Sequence, residues 1–293
     1  MPAPPLSVTI ATLRGWPVIR PCLEALVAQA GRVGVEVVVA DGSDQPMPSL
    51  PGHTVIWRRC GGADVLQLRL AAVRAARAPL VAVTEDHCLA APSFCDAVLA
   101  AAARHPSAIV FKGRVENGSR ERLVDWASFF MNQLPHLPPF IVVFRPVAGV
   151  SASVYRREAL DALWSAAGDI SPDVARDAPW HGDGRVVCDP DIAVTHVQSE
   201  GWIGTAALQY HNARIVSARV SRRSGRDWLR FLGAPALVWA RTARTTWHCL
   251  KTSAPQRLVL GSVPAFVFLL HAKALGEVAG YVLGPGQSGF KLQ

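Results

Sequence analysis

The sequence predicts an α/β fold: an open, mostly parallel sheet with helices on both faces, followed by amphipathic and hydrophobic helices at the C-terminus. Three observations predict it. Strand and helix patterns alternate over the first 112 residues, as in a parallel sheet built from crossover units. The strand segments are short continuous apolar runs, the pattern of strands buried on both faces. From Gln209 onward the chain becomes basic and tryptophan-rich, and then hydrophobic.

Leu6–Thr12 is the first strand. Arg14-Gly15-Trp16-Pro17 breaks it, and Pro17 suits the first turn of a helix. From Val18 to Ala30 the residues Ile19, Leu23, Leu26 and Val27 recur at helical spacing. Gly31 to Gly34 ends that helix, and Val35–Ala40 is a second strand rich in β-branched residues. It stops at the turn Asp41-Gly42-Ser43-Asp44. Thr54–Trp57 is a third strand, and Cys60–Ala63 a glycine-containing loop. Val65–Ala76 is helical, with Leu66, Leu70 and Val73 on one side and Arg69, Arg74 and Arg77 among them. Leu80–Val83 is the central strand and ends in Glu85-Asp86-His87. A helix over Ser93–Arg104 and a strand over Ala108–Lys112 complete this half.

The next segment is less regular. Asp125–Phe130 reads as a helix, whereas Leu134–Pro139 has too many prolines for one. Val147–Tyr155 is a loop entering a strand, and Arg157–Ala167 a helix. Ser171-Pro172-Asp173 is a helix start, with Ser171 as cap and Pro172 at the first position. Gly184 to His196 reads as two short strands around Asp189-Pro190-Asp191. The domain division expected is residues 1–216, with halves 6–112 and 113–216, and a tail over 217–293.

A chain of 293 residues with 50% hydrophobic and 18% charged residues, a net charge of +8 and a mean hydropathy of +0.22 favours an anionic partner. The positive charge gathers after Gln209, where Arg219, Arg222, Arg223, Arg226, Arg230, Arg241, Arg244, Lys251 and Arg257 mix with Trp228, Trp239 and Trp247. Basic residues among Trp and Leu at helical spacing fit an anionic membrane surface better than a nucleic-acid groove, so no nucleic-acid partner is expected. The apolar run Leu258–Leu270 is shorter than the ~20 residues of a span, and lengthening it admits His271, Lys273 and Glu277. A peripheral or re-entrant tail is therefore expected on the cytoplasmic face of a membrane. The plainer alternative is a buried helical pair packed on the preceding domain. The six cysteines form no CxxC pair and no signal peptide is evident, which fits a reducing compartment.

Thr12, Asp41 and the Glu85-Asp86-His87 cluster all fall at carboxyl ends of successive strands, where open α/β sheets bind ligands. Adjacent acids at such an end can hold a divalent cation, and the cation can neutralise a diphosphate.

Val38-Val39-Ala40-Asp41-Gly42-Ser43 and Thr84-Glu85-Asp86-His87 resemble the nucleotide-binding turn and the metal-binding DxD-type motif of the family 2 glycosyltransferases with the GT-A (Rossmann-like) fold. The resemblance covers roughly residues 6–216, and His87 stands where the family has its usual final acid. Gly149-Val150-Ser151-Ala152 resembles the family's acceptor-side glycine segment, and Gly184–His196 its late strand pair ending in a histidine near the metal. The resemblance implies a metal-dependent inverting enzyme using Mg²⁺ or Mn²⁺. It would move a sugar from a nucleoside-diphosphate donor, and the basic, tryptophan-rich tail points to a lipid-linked or glycan acceptor near a membrane. Thr12, Asp41, Ser43, Arg69, Glu85, Asp86 and Arg214 are the candidates for the donor, and Asp86, His196 and His87 for the metal. Asp173 falls at the catalytic-base position with Pro172 in place of the first acid, and Asp177 and Asp183 are its rivals. An acceptor hydroxyl needs such a base, because it is a weak nucleophile until its proton is taken. A non-catalytic nucleotide-sugar- or lipid-binding protein on the same fold is the alternative.

Overall fold

The computed structural model describes residues 3–47, 55–140, 151–172, 185–220 and 232–292, and every statement below concerns those residues. The chain forms two compact units, Met1–Glu116 with Val143–Val197, and Asn117–Val142 with Gln198–Gln293.

The first unit holds β1 (Leu6–Thr12), α1 (Arg20–Val33), β2 (Glu36–Asp41), β3 (Val55–Arg59), α2 (Val65–Ala75), β4 (Leu80–Glu85), β5 (Cys88–Ala90), α3 (Phe94–Arg104) and β6 (Val110–Asn117). β7 (Ser153–Arg156), α5 (Arg157–Ala167) and β8 (Val186–His196) also belong to it, while α4 (Leu123–Gln133) lies in the second unit. The eight strands make one sheet in the order β3-β2-β1-β4-β7-β6-β8-β5. β3, β2, β1 and β4 are parallel, whereas β7 runs antiparallel to both β4 and β6, and β5 antiparallel to β8. The sheet is thus parallel where strands and helices alternate in sequence, and mixed beyond β4.

Each element has a local cause. β1 and β2 are buried along their whole length, as a continuous apolar run in a central strand requires. α1 opens with Pro21 in its first turn, while Pro17, expected there, lies in the turn before it; the helix closes at Gly34, which takes φ 68° and donates its N–H to the Ala30 carbonyl. α2 begins with a capping box: Asp64 accepts from the Leu66 and Gln67 amides, and Gln67 Oε1 accepts from the Asp64 amide. Leu68 and Val73 of α2, with Leu160 and Leu163 of α5, pack with Val38, Val81, Val83 and Val110 of the sheet in one core cluster.

Three expectations change. β5 was not legible, because three residues carry no periodicity. β6 continues to Asn117, five residues past the expected Lys112. The segment Val186–His196 is one strand, not two. Pro190 is tolerated because β5 pairs only with Val194–His196, leaving that side of the strand uncovered at the proline.

The second unit holds α4, α6 (Gly201–Val220), α7 (Val238–Leu250), α8 (Gln256–Gly261) and α9 (Val263–Leu283). α6 runs through residue 216, where a domain boundary was expected. α9 lies against α6 at backbone distance: a Cβ at Gly276 would fall 2.2 Å from the Tyr210 carbonyl oxygen, and one at Gly280 2.1 Å from that of Arg214. Glycine is needed at both for steric reasons alone. Arg241 of α7 and Glu277 of α9 form an ion pair at 2.7 Å. By length and composition α9 is the one described helix apolar enough to cross a membrane.

Candidate active site

The carboxyl ends of β1, β2 and β4 carry the residues that the sequence placed there. Parallel register aligns Thr12 with Asp41 and Ala11 with Glu85. Glu85 is the last residue of β4, and Asp86 and His87 form the turn into β5.

Asp41 is fully buried. Its Oδ1 accepts from the amide and hydroxyl of Ser43 at 2.8 and 2.7 Å, and its Oδ2 from Trp57 Nε1 at 3.0 Å and Arg59 Nη1 at 2.8 Å. Four donors fix this carboxylate, so its visible work is to hold the Asp41-Gly42-Ser43 turn and the end of β3. Gly15, at φ 63°, brings the loop after β1 onto this turn, and its amide donates to Thr12 Oγ1 at 2.9 Å.

Asp86 is also buried. Its Oδ2 accepts from Thr12 Oγ1 at 2.8 Å and its Oδ1 lies 2.9 Å from His87 Nδ1. His87 Nε2 then points at His196 Nε2, 3.0 Å away, with the two rings edge to face. Glu85 Oε2 stands 3.9 Å from His87 Nε2 and 3.8 Å from His196 Nε2. Arg69 holds the other Glu85 oxygen at 3.0 Å, and the Ser151 hydroxyl donates to Oε2 at 2.9 Å.

The electrostatics follow from this arrangement. Burial opposes ionisation of Glu85, but the charges of His87, Arg69 and His196 outweigh it and lower its pKa to about 2. Burial also opposes a charged His87, yet the hydrogen bond to Asp86 and the charges of Glu85 and Asp86 raise its pKa. Burial, then the neighbouring charge of His87, pulls His196 down to about 4.

One carboxylate oxygen and two imidazole nitrogens, all within 4.8 Å of one another, make a donor set that fits a divalent cation. Burial first, with the charge of Asp86, pushes the Cys22 thiol far up. The metal set expected from sequence was Asp86, His87 and His196. The structure brings His87 and His196 together but supplies Glu85 as the third group, with Asp86 behind His87.

Thr12, Asp41, Ser43, Arg69, Glu85, Asp86, His87 and His196 all lie in the first unit. Arg214 lies in the second, where its Nε donates to the Gly284 carbonyl at 2.9 Å. Asp173, Asp177 and Asp183 lie outside the described residues. Sequence reasoning missed Trp57 and Arg59, which share a face at the end of β3 by alternation, and the hydroxyl of Ser151.

The sequence profile described as "Glycosyl transferase family 2" matches residues 7–164. No match is found among curated proteins. Among solved structures, the mannosyltransferase PcManGT from Pyrobaculum calidifontis, in complex with GDP-Man and Mn²⁺, is similar over 97% of this chain and 88% of its own, at 17% identity and a TM-score of 0.52. TarS from S. aureus in complex with UDP-GlcNAc is similar over 89% and 71%, at 12% identity and 0.49. Glucosyl-3-phosphoglycerate synthase from Mycobacterium tuberculosis is similar over 69% and 74%, at 16% identity and 0.48. The profile covers more than half of the chain, and the mixed sheet is that of the GT-A fold: this protein belongs to glycosyl transferase family 2 and is a glycosyltransferase.

Proposed function

We propose that the protein transfers a sugar, with inversion, from a nucleoside-diphosphate sugar to the hydroxyl of a lipid-linked or glycan acceptor at a membrane surface. The observation that carries the reading is the convergence of Glu85, His87 and His196 at the end of β4 in a family 2 fold. A divalent cation held there would neutralise charge on the departing diphosphate. PcManGT, of the same fold, is complexed with GDP-Man and Mn²⁺, which supports a nucleotide-sugar donor and Mn²⁺ or Mg²⁺ here. The Asp41-Ser43 turn and Thr12 shape the donor side, and Arg69 orients Glu85. One of Asp173, Asp177 and Asp183 takes the acceptor proton.

The membrane part of the reading is supported by α7. Trp239 and Trp247 are two helical turns apart, 69% and 59% exposed, with Lys251 Nζ 4.5 Å from the Trp247 ring centre. Arg244 and Arg257 are exposed nearby in sequence. Exposed tryptophans among cations suit an anionic lipid interface. The Arg241–Glu277 pair on α9 favours a helix lying on its own unit over one crossing lipid.

The test is a thermal-shift panel of nucleoside diphosphates with Mn²⁺ or Mg²⁺, followed by donor turnover with lipid-linked and soluble acceptors. A metal-dependent rise in Tm with one diphosphate, and transfer from the matching sugar donor, are expected. Folded protein that responds to no diphosphate would remove the donor assignment. Binding without turnover would point to the non-catalytic alternative.

A further inference from the structure

The cluster at the end of β4 differs in kind from an all-oxygen site, because two of its three donor atoms are imidazole nitrogens. We infer that the site selects a borderline, six-coordinating divalent cation of the Mn²⁺, Fe²⁺ and Co²⁺ class over Mg²⁺, and that His87 sets this selectivity. The inference rests on reading Glu85, His87 and His196 as a metal site.

Donor chemistry is the first support. Mg²⁺ prefers carboxylate, carbonyl and water oxygens, whereas imidazole suits the later divalent ions of the first transition row. Geometry is the second. A cation about 2.1 Å from each nitrogen needs them about 3.0 Å apart at a right angle and about 3.4 Å apart at a tetrahedral one. The observed Nε2 to Nε2 separation is 3.0 Å. The pair is therefore placed as two neighbouring ligands of an octahedral ion, and Glu85 Oε2 needs only a modest approach from 3.8 and 3.9 Å.

Orientation is the third. His87 has its Nδ1 tied to Asp86 Oδ1, and Asp86 is held on its other oxygen by Thr12. This is the carboxylate–histidine arrangement that fixes a ring so that Nε2 presents its lone pair to a metal. The same contacts commit both Asp86 oxygens, so the carboxylate next in sequence is not turned toward the cluster to restore an oxygen-rich set. An acid at position 87 would supply a hard ligand. The histidine there removes it.

The experiment uses the full chain freed of metal by a chelator. Calorimetric titration with MgCl₂, MnCl₂ and CoCl₂ is combined with pulsed electron paramagnetic resonance of bound Mn²⁺. Mn²⁺ and Co²⁺ should bind roughly tenfold or more tightly than Mg²⁺, with Co²⁺ the tighter of the two. The Mn²⁺ spectrum should show nitrogen couplings that weaken in His87→Asp and in His196→Asn. His87→Asp should narrow the gap between Mn²⁺ and Mg²⁺. Equal binding of Mg²⁺ and Mn²⁺ by the wild-type chain would overturn the selectivity and leave a metal-dependent transferase standing. Mn²⁺ bound without nitrogen couplings, or no cation bound by folded protein, would overturn the site itself. The wild-type series decides the matter even if a variant fails to fold.

Discussion

Thr12 donates its hydroxyl to Oδ2 of Asp86 at 2.8 Å, joining the ends of the adjacent strands β1 and β4. The other oxygen of Asp86 meets His87, so the contact acts at a distance on the Nε2 of that ring. Outer partners of a metal-binding histidine typically contribute about 10–100-fold in affinity. Asp86→Asn should therefore weaken Mn²⁺ binding by about that factor, measured by titration, with Thr12→Val giving a smaller loss in the same direction. Unchanged Mn²⁺ affinity in folded Asp86→Asn would show that the carboxylate does not position the ring.

Gly15 and Gly34 both take positive φ, 63° and 68°, but their surroundings differ. A Cβ at Gly15 would fall 2.0 Å from Ser43 Oγ, and one at Gly34 would meet nothing within 4 Å. Gly34→Ala should cost only the conformational strain, about 1 kcal/mol. Gly15→Ala should cost about 1–3 kcal/mol more from overpacking and should also weaken nucleotide binding through the Asp41-Ser43 turn. Urea denaturation of the two variants separates strain from collision, and equal losses would refute the close approach.

The opposite end of the sheet supplies a pH dependence. Glu36 accepts from Ser7 Oγ at 2.5 Å and from the Arg77 amide and Nε at 2.6 and 2.9 Å. Burial alone would raise its pKa, but these hydrogen bonds and the charge of Arg77 prevail and lower it. A carboxyl whose folded pKa lies below its unfolded value of about 4.3 stabilises fully above that pH. The contribution fades as pH falls toward the folded value. The urea midpoint of wild type should thus exceed that of Glu36→Gln at pH 6, and the gap should shrink on acidification below about pH 4. A gap independent of pH would assign the effect to packing.

Trp239 and Trp247 stand on one side of α7 with little protein around them. Replacing both by alanine should leave Tm nearly unchanged, since exposed side chains contribute little to stability. Co-sedimentation with anionic phospholipid vesicles should fall by roughly tenfold or more, because two large apolar groups no longer enter the interface. Equal sedimentation of the double variant and wild type would exclude this face.

The parallel half of the sheet was legible because β-branched runs, amphipathic helices and strand-end acids occur in one repeating order. Residues Leu6–Thr12 and Val65–Ala75 match their expected spans closely. β5 and the continuity of β8 were hidden, since pairing across the sheet, not local pattern, makes strands of Cys88–Ala90 and of the segment holding Pro190. In the site, the positions of Thr12, Asp41 and Glu85 followed from strand ends. That Glu85, not Asp86, joins His87 in the cluster was hidden, because Asp86 and His87 lie in a turn, where strand alternation assigns no face. The partnership with His196 was given only by resemblance, as nothing local links residues 109 positions apart.

That separation bears on how the molecule folds. Cys88 pairs with His196 in the β5–β8 ladder, so His87 meets its partner only when two distant stretches of chain have found one register. Contacts of such long sequence span close slowly, and a slip of one residue would send His196 to the opposite face of the sheet. The cluster should consequently be among the last parts of the first unit to assemble. A cation binding there rewards the correctly registered sheet and no other, so it would act as a proofreader of strand pairing as well as a partner in catalysis.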